Sequence, residues 1–98
     1  MNVKHTPGPW KVLPEEVSRP YIRIRGARPG DRYKVANVLT PTYDGVAERE
    51  AEETRANARL IAEAPMLAKA LTDLLSDPAN PAHHAIARTV LARAGVTP

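Results

Sequence analysis

The chain has no cysteine and no phenylalanine among its 98 residues, and a single tryptophan. Without cysteine there is no disulfide, no thiolate nucleophile and no zinc site of the usual cysteine type. Three histidines, His5, His83 and His84, are too few and too badly spaced for a metal centre. No apolar run approaches the length of a membrane span. The start of the chain does not read as a secretory signal, because Trp10 is followed by charge and proline. A cytoplasmic location in the host cell is expected. There is no nucleophile elbow and no Gly-Lys-Ser/Thr phosphate loop. The carboxylates gather at a helix start, where dipole compensation and solvation account for them. The expectation is therefore a protein without catalysis, cofactor or metal.

What is present is alanine, sixteen residues of it. An alanine-rich helix lets another helix approach closely and leaves apolar surface that one copy does not cover, so a homodimer or higher oligomer is expected. The length suits one domain spanning 1–98. Charge is uneven. Residues 1–40 hold eight Lys/Arg against three Asp/Glu, or +5. Residues 41–80 hold four against eight, or −4, and residues 81–98 add +2, which together make the net +3. A basic first half suits an anionic partner such as a nucleotide or nucleic acid, and at least as well suits a solubilising surface.

In chain order, two prolines and a glycine before Trp10 predict an extended, turning arm that Trp10 anchors to the core, with a stacking platform for a base as the lesser alternative for Trp10. Trp10 to Leu13 reads as a first strand. Tyr21-Ile22-Arg23-Ile24-Arg25 alternates, with Ile22 and Ile24 on one side and Arg23 and Arg25 on a cationic outer side. Tyr33 to Leu39 reads as a third strand, hairpin-paired with the second. The β region covers 1–42. A helical pattern follows over 46–76. Its positions 60, 64, 67, 71, 74 and 75 share one apolar face, beside a stripe of mostly small residues at 47, 51, 54, 58 and 61. Pro65 lacks the N–H that would reach the Ile61 carbonyl, so a kink, or a break followed by a second helix starting at Pro65, is expected there, and the unbroken phase of the stripe favours the kink. Asn80 and Pro81 signal the start of a last helix over 80–94, with Gly95 as a left-handed C-cap. The fold class is α+β: a small N-terminal antiparallel sheet of about three strands, a long Pro65-kinked helix and a shorter C-terminal helix.

Asn57 is the polar residue that the long helix does not need, and Arg55 and Arg59 are stacked four apart near it. A solvated face explains them, and so does a ligand-binding face. Arg23, Arg25 and Tyr43 complete the set of physical candidates for an anionic ligand, with Arg for phosphates and an aromatic to stack.

His5-Thr6-Pro7-Gly8-Pro9-Trp10 at the start, paired with Ala56-Asn57-Ala58-Arg59-Leu60-Ile61-Ala62-Glu63-Ala64-Pro65, resembles a family of small phage and prophage proteins with an HTP-x-PW arm and an asparagine-alanine helix. The layout is also similar to the Thoeris anti-defence sponge. That resemblance implies an oligomer that sequesters a cyclic ADP-ribose type signal or a cyclic oligonucleotide without cleaving it, with Asn57 carried over as a binding residue. Two other functions remain open. One is an anti-CRISPR or similar inhibitor that occludes a host defence protein, with the acidic segment 44–63 as a phosphate mimic. The other is a small DNA-binding accessory protein.

Overall fold

In the computed structural model the described residues are 4–16, 21–26, 33–39 and 48–97, the side chains of 48–51 aside. They form β1 (Trp10–Val12), β2 (Tyr21–Gly26), β3 (Tyr33–Leu39), α1 (Glu48–Ala62), α2 (Ala64–Ser76) and α3 (Pro81–Arg93). The strands make one antiparallel sheet in the order β1-β2-β3. The α+β class and the sheet-then-helices order match the sequence expectation.

Alternation along β2 places Ile22 and Ile24 on one face, where they meet Ala58 and Ala62 of α1. Trp10, Val35, Ala36 and Val38 pack around this cluster. Ile24 is fully enclosed, at 0% exposure, and burying each of the two isoleucines contributes roughly 1.5–3 kcal/mol. The helix α1 meets the sheet through its small stripe, Thr54, Ala58 and Ala62, not through Leu60 or Ile61. Residues at four-residue spacing line one side of a helix, and side chains this small let its backbone come close to the sheet. Leu60, Leu71 and Leu75, expected on the buried face, are exposed.

The helical pattern also departs from a single kinked rod. It is two helices, α1 and α2, parted at Glu63. The cause is Pro65, whose missing N–H leaves the Ile61 carbonyl without its helical donor. The Glu63 amide is shared between the Arg59 and Leu60 carbonyls, 3.2 Å from each. Glu63 then serves as the N-cap residue of α2, without a side-chain cap bond, and proline occupies the first turn. Residues 46 and 47 of the expected helix lie outside the described residues.

The last helix follows its signals. The Asn80 side chain accepts a hydrogen bond from the Ala82 amide at 2.9 Å, and Pro81 opens the helix. At the far end Gly95 has φ +79°; its amide donates to Ala92, and the Val96 amide donates to Leu91. Those two bonds are a Schellman closure. His83 and His84 do more than face solvent: their ring nitrogens donate to the Asp77 and Pro78 carbonyls, 3.3 and 2.6 Å away, and so tie the α2–α3 connection.

Candidate functional site

The arm and the helix junction, far apart in sequence, touch. The Trp10 indole donates to the Thr6 carbonyl at 2.9 Å, and the His5 ring stands edge-on to Trp10 with centroids 6.0 Å apart. Gly8 sits directly on Pro65 and Met66. A Cβ on Gly8 would lie 2.8 Å from the Pro65 Cβ. The two recognisable motifs are thus one packed unit, and glycine is needed where they meet.

The sheet face away from the isoleucines carries the cations. In register, Lys11 of β1 lies opposite Arg25 of β2, and Arg25 lies opposite Lys34 of β3. Three positive residues therefore form a row across three strands. Directly opposite like charges destabilise a sheet unless something offsets them. Arg25 is the buried member, at 8% exposure. A register shift between Ile24 and Arg25 leaves Val35 of β3 as an extra residue, a β-bulge. Beside it the Arg25 Nη1 donates to the Ile24 carbonyl at 2.9 Å, the Ala36 carbonyl at 3.2 Å and the Asn37 Oδ1 at 3.2 Å. All three acceptors are neutral. The guanidinium thus completes the hydrogen bonding at the bulge, and no described carboxylate neutralises it.

Of the other described sequence candidates, only Arg23 shares the sheet face of Arg25. Arg23 pairs with Glu16 at 2.8 Å and also reaches the Pro14 carbonyl. Arg55 pairs with Glu15 at 3.0 Å on the rim of an open cleft lined by Val12, Leu13, Pro14 and Ile22. Arg59 lies against Gly95, where an added Cβ would meet its Nη2 at 2.7 Å. Beside it, Arg93 Nε stands 3.4 Å from Glu63 Oε1, while Glu63 Oε2 is buried without a hydrogen-bond partner. Asn57 is exposed and sits about 200° round α1 from Arg55. Asn57, Arg55 and Arg59 therefore do not form one face, and α1 lies on the opposite side of the sheet from Arg23 and Arg25. Tyr43 lies outside the described residues.

Lys11, Lys34 and Asn37 are the site residues that sequence reasoning passed over. Strand alternation signals the outer face of each strand, but the row appears only once the register is known. Among the described residues no group of three or more His, Asp or Glu could hold a metal ion, and no helix is long and apolar enough to cross a membrane. The row of like charges across the three strands can attract an anion.

A small α+β phage protein is the class this structure and its arm–helix motif describe. The chain matches the family model of Salmonella phage P22 protein Y8K6 over residues 1–97 and belongs to that family. No curated protein and no solved structure matches it.

Proposed function

We propose that this phage protein binds a phosphate-bearing ligand of the nucleotide class on the outer face of its sheet and holds it unchanged, as a counter-defence protein that sequesters a cyclic nucleotide immune signal. The row Lys11, Arg25 and Lys34 carries the reading. Arg25 is pre-positioned by the bulge, and its described partners are all neutral, so an anion would supply the missing countercharge. A guanidinium with a lysine opposite it on each neighbouring strand suits a phosphate, which accepts several charge-assisted hydrogen bonds.

The test is a thermal-shift panel of cyclic mono- and dinucleotides and cyclic ADP-ribose, with inorganic phosphate as control. A ligand at one hundred times its Kd stabilises the protein by about 2.7 kcal/mol, a shift of several degrees for a chain this size. Lys34→Gln, an exposed change, should weaken that shift at least tenfold in ligand concentration while leaving the free protein's Tm in place. A panel with no shift, or a shift that Lys34→Gln leaves intact, overturns the reading. Preference for a DNA duplex over every nucleotide would move the function to nucleic-acid binding.

The second reading is an inhibitor that covers a host defence protein. Glu52 and Glu53, both exposed near the start of α1, favour it as an acidic face. Recovery of a stoichiometric partner from host lysate, lost on Glu52→Gln with Glu53→Gln, is its expected signature.

A further inference from the structure

Helix α2 carries two apolar seams. Leu67, Ala70 and Leu74, at spacings of three and four, are sheltered or half-sheltered within the molecule. Ala64, Ala68, Leu71 and Leu75, at spacings of four, three and four, lie about 100° further round the helix. All four are exposed, Leu71 at 61% and Leu75 at 83%. A four-three-four repeat of apolar residues is the pattern of a helix seam that supercoils on another helix. The described residues leave this seam uncovered.

We infer that the occupant is the same seam of a second copy, packed antiparallel about a two-fold axis between Ala68 and Leu71. Three features select a copy of this chain. The first is size. In that register Ala64 meets Leu75 of the second copy and Ala68 meets its Leu71, so each large side chain faces a small one across the axis, as dense packing requires. The second is charge. The positions flanking the seam are Pro65, Leu67, Thr72 and Leu74, none of them ionisable, so two identical surfaces meet without like-charge repulsion. The third is where the charges of α2 do lie. Lys69 and Asp73 pair with each other at 3.0 Å, four residues apart, off the seam. A helix of thirteen residues is about 20 Å long, so the contact belongs to the small interfaces and its dissociation is read in the micromolar range. This inference is independent of the ligand reading, because the seam and the cationic row lie on different elements.

The absence of cysteine makes the register measurable. Ala64→Cys and Leu75→Cys proteins are oxidised separately and as a mixture. The antiparallel register predicts a disulfide-linked dimer in the mixture only. Residues 75 and 75 of two copies would then be eleven residues apart along the axis, about 16 Å, beyond the roughly 7 Å a disulfide can bridge. In parallel, sedimentation of the unmodified protein should show a concentration-dependent dimer. Leu75→Asp should raise its dissociation constant at least tenfold without altering the far-UV circular dichroism. Homotypic links within either separate sample, or a wild-type monomer across the micromolar range, would falsify the inference; the second result would assign the seam to a different protein.

Discussion

The two halves of the molecule close their cores differently. The sheet and α1 use β-branched and aromatic side chains, Ile22, Ile24 and Trp10, against alanines that let the helix come close. The α2–α3 hairpin encloses Ala70, Val90 and Ala94, while Leu71, Leu75 and Ile86 remain exposed. The hairpin is no poorer in apolar residues than the sheet half. What differs is what is fully buried: two isoleucines in the sheet half, but Ala70, Val90 and Ala94 in the hairpin, with Leu67, Leu74 and Leu91 half-buried around them. Apolar content therefore does not by itself decide what is buried. In the hairpin the innermost positions go to the smaller side chains, and Leu71 and Leu75 are left as surface.

The largest way to break this contrast is to empty the sheet half. Ile24→Ala truncates the largest fully enclosed side chain among the described residues, and should destabilise the protein by roughly 2–5 kcal/mol, as large-to-small core changes do. Urea unfolding of the variant beside Leu71→Ala checks it, since Leu71 is exposed and its truncation should stay within about 0.5 kcal/mol in the monomer. Equal losses from both would erase the distinction between the halves.

Much of this fold is legible in the amino-acid pattern. Strict alternation announces β2, and Asn80-Pro81 and Gly95 mark both ends of α3 within a residue. The division of the long helix is not legible, because the apolar stripe keeps its phase across Pro65 while the hydrogen bonding does not. Phase is a property of spacing, and it survives a break that restarts with the same rotation. Nor does hydropathy show which stripe of α1 faces the sheet, since Leu60 and Ile61 outscore the alanines that pack there. The candidate site is harder still. Arg23 and Arg25 look alike in the alternating strand, yet one pairs with Glu16 and the other is buried at a bulge. That difference depends on the β2–β3 register, which no local pattern specifies. Arg55 finds Glu15 forty positions away, a pairing that only the closed chain creates.

The next effect sharpens how the halves are joined. Gly8 rests on Pro65 at the α1–α2 junction, and both the added methyl group and the proline ring are rigid. Gly8→Ala should cost about 1–3 kcal/mol, the range for overpacking a filled site. Replacing the neighbour as well, with Pro65→Ala, keeps a Cβ at the clash and should not rescue the loss. A thermal melt of the single and double variants decides this, and rescue by Pro65→Ala would show that the ring beyond its Cβ carries the conflict.

The smallest effect asks whether the hairpin opens by itself. The Asn80 side chain caps α3, and no residue of the sheet half takes part in that bond. Asn80→Ala should therefore cost about 1 kcal/mol. Amide exchange shows where that loss is felt. If the hairpin is held only by its own small-residue contacts, the α2 and α3 amides lose protection while those of β2 keep theirs, because the two halves open as separate units. If the Glu63–Arg93 and Arg59–Gly95 contacts couple the halves, protection falls equally in β2 and α3. The contacts at that junction are few: an ion pair at 3.4 Å with Arg93 half exposed, and a guanidinium against a glycine. Glu63 is largely enclosed, but its contact with the half-exposed Arg93 is long, and a pair with one solvated partner contributes little. The expected outcome is local loss, with the hairpin opening as the weaker unit and the sheet with α1 as the stronger.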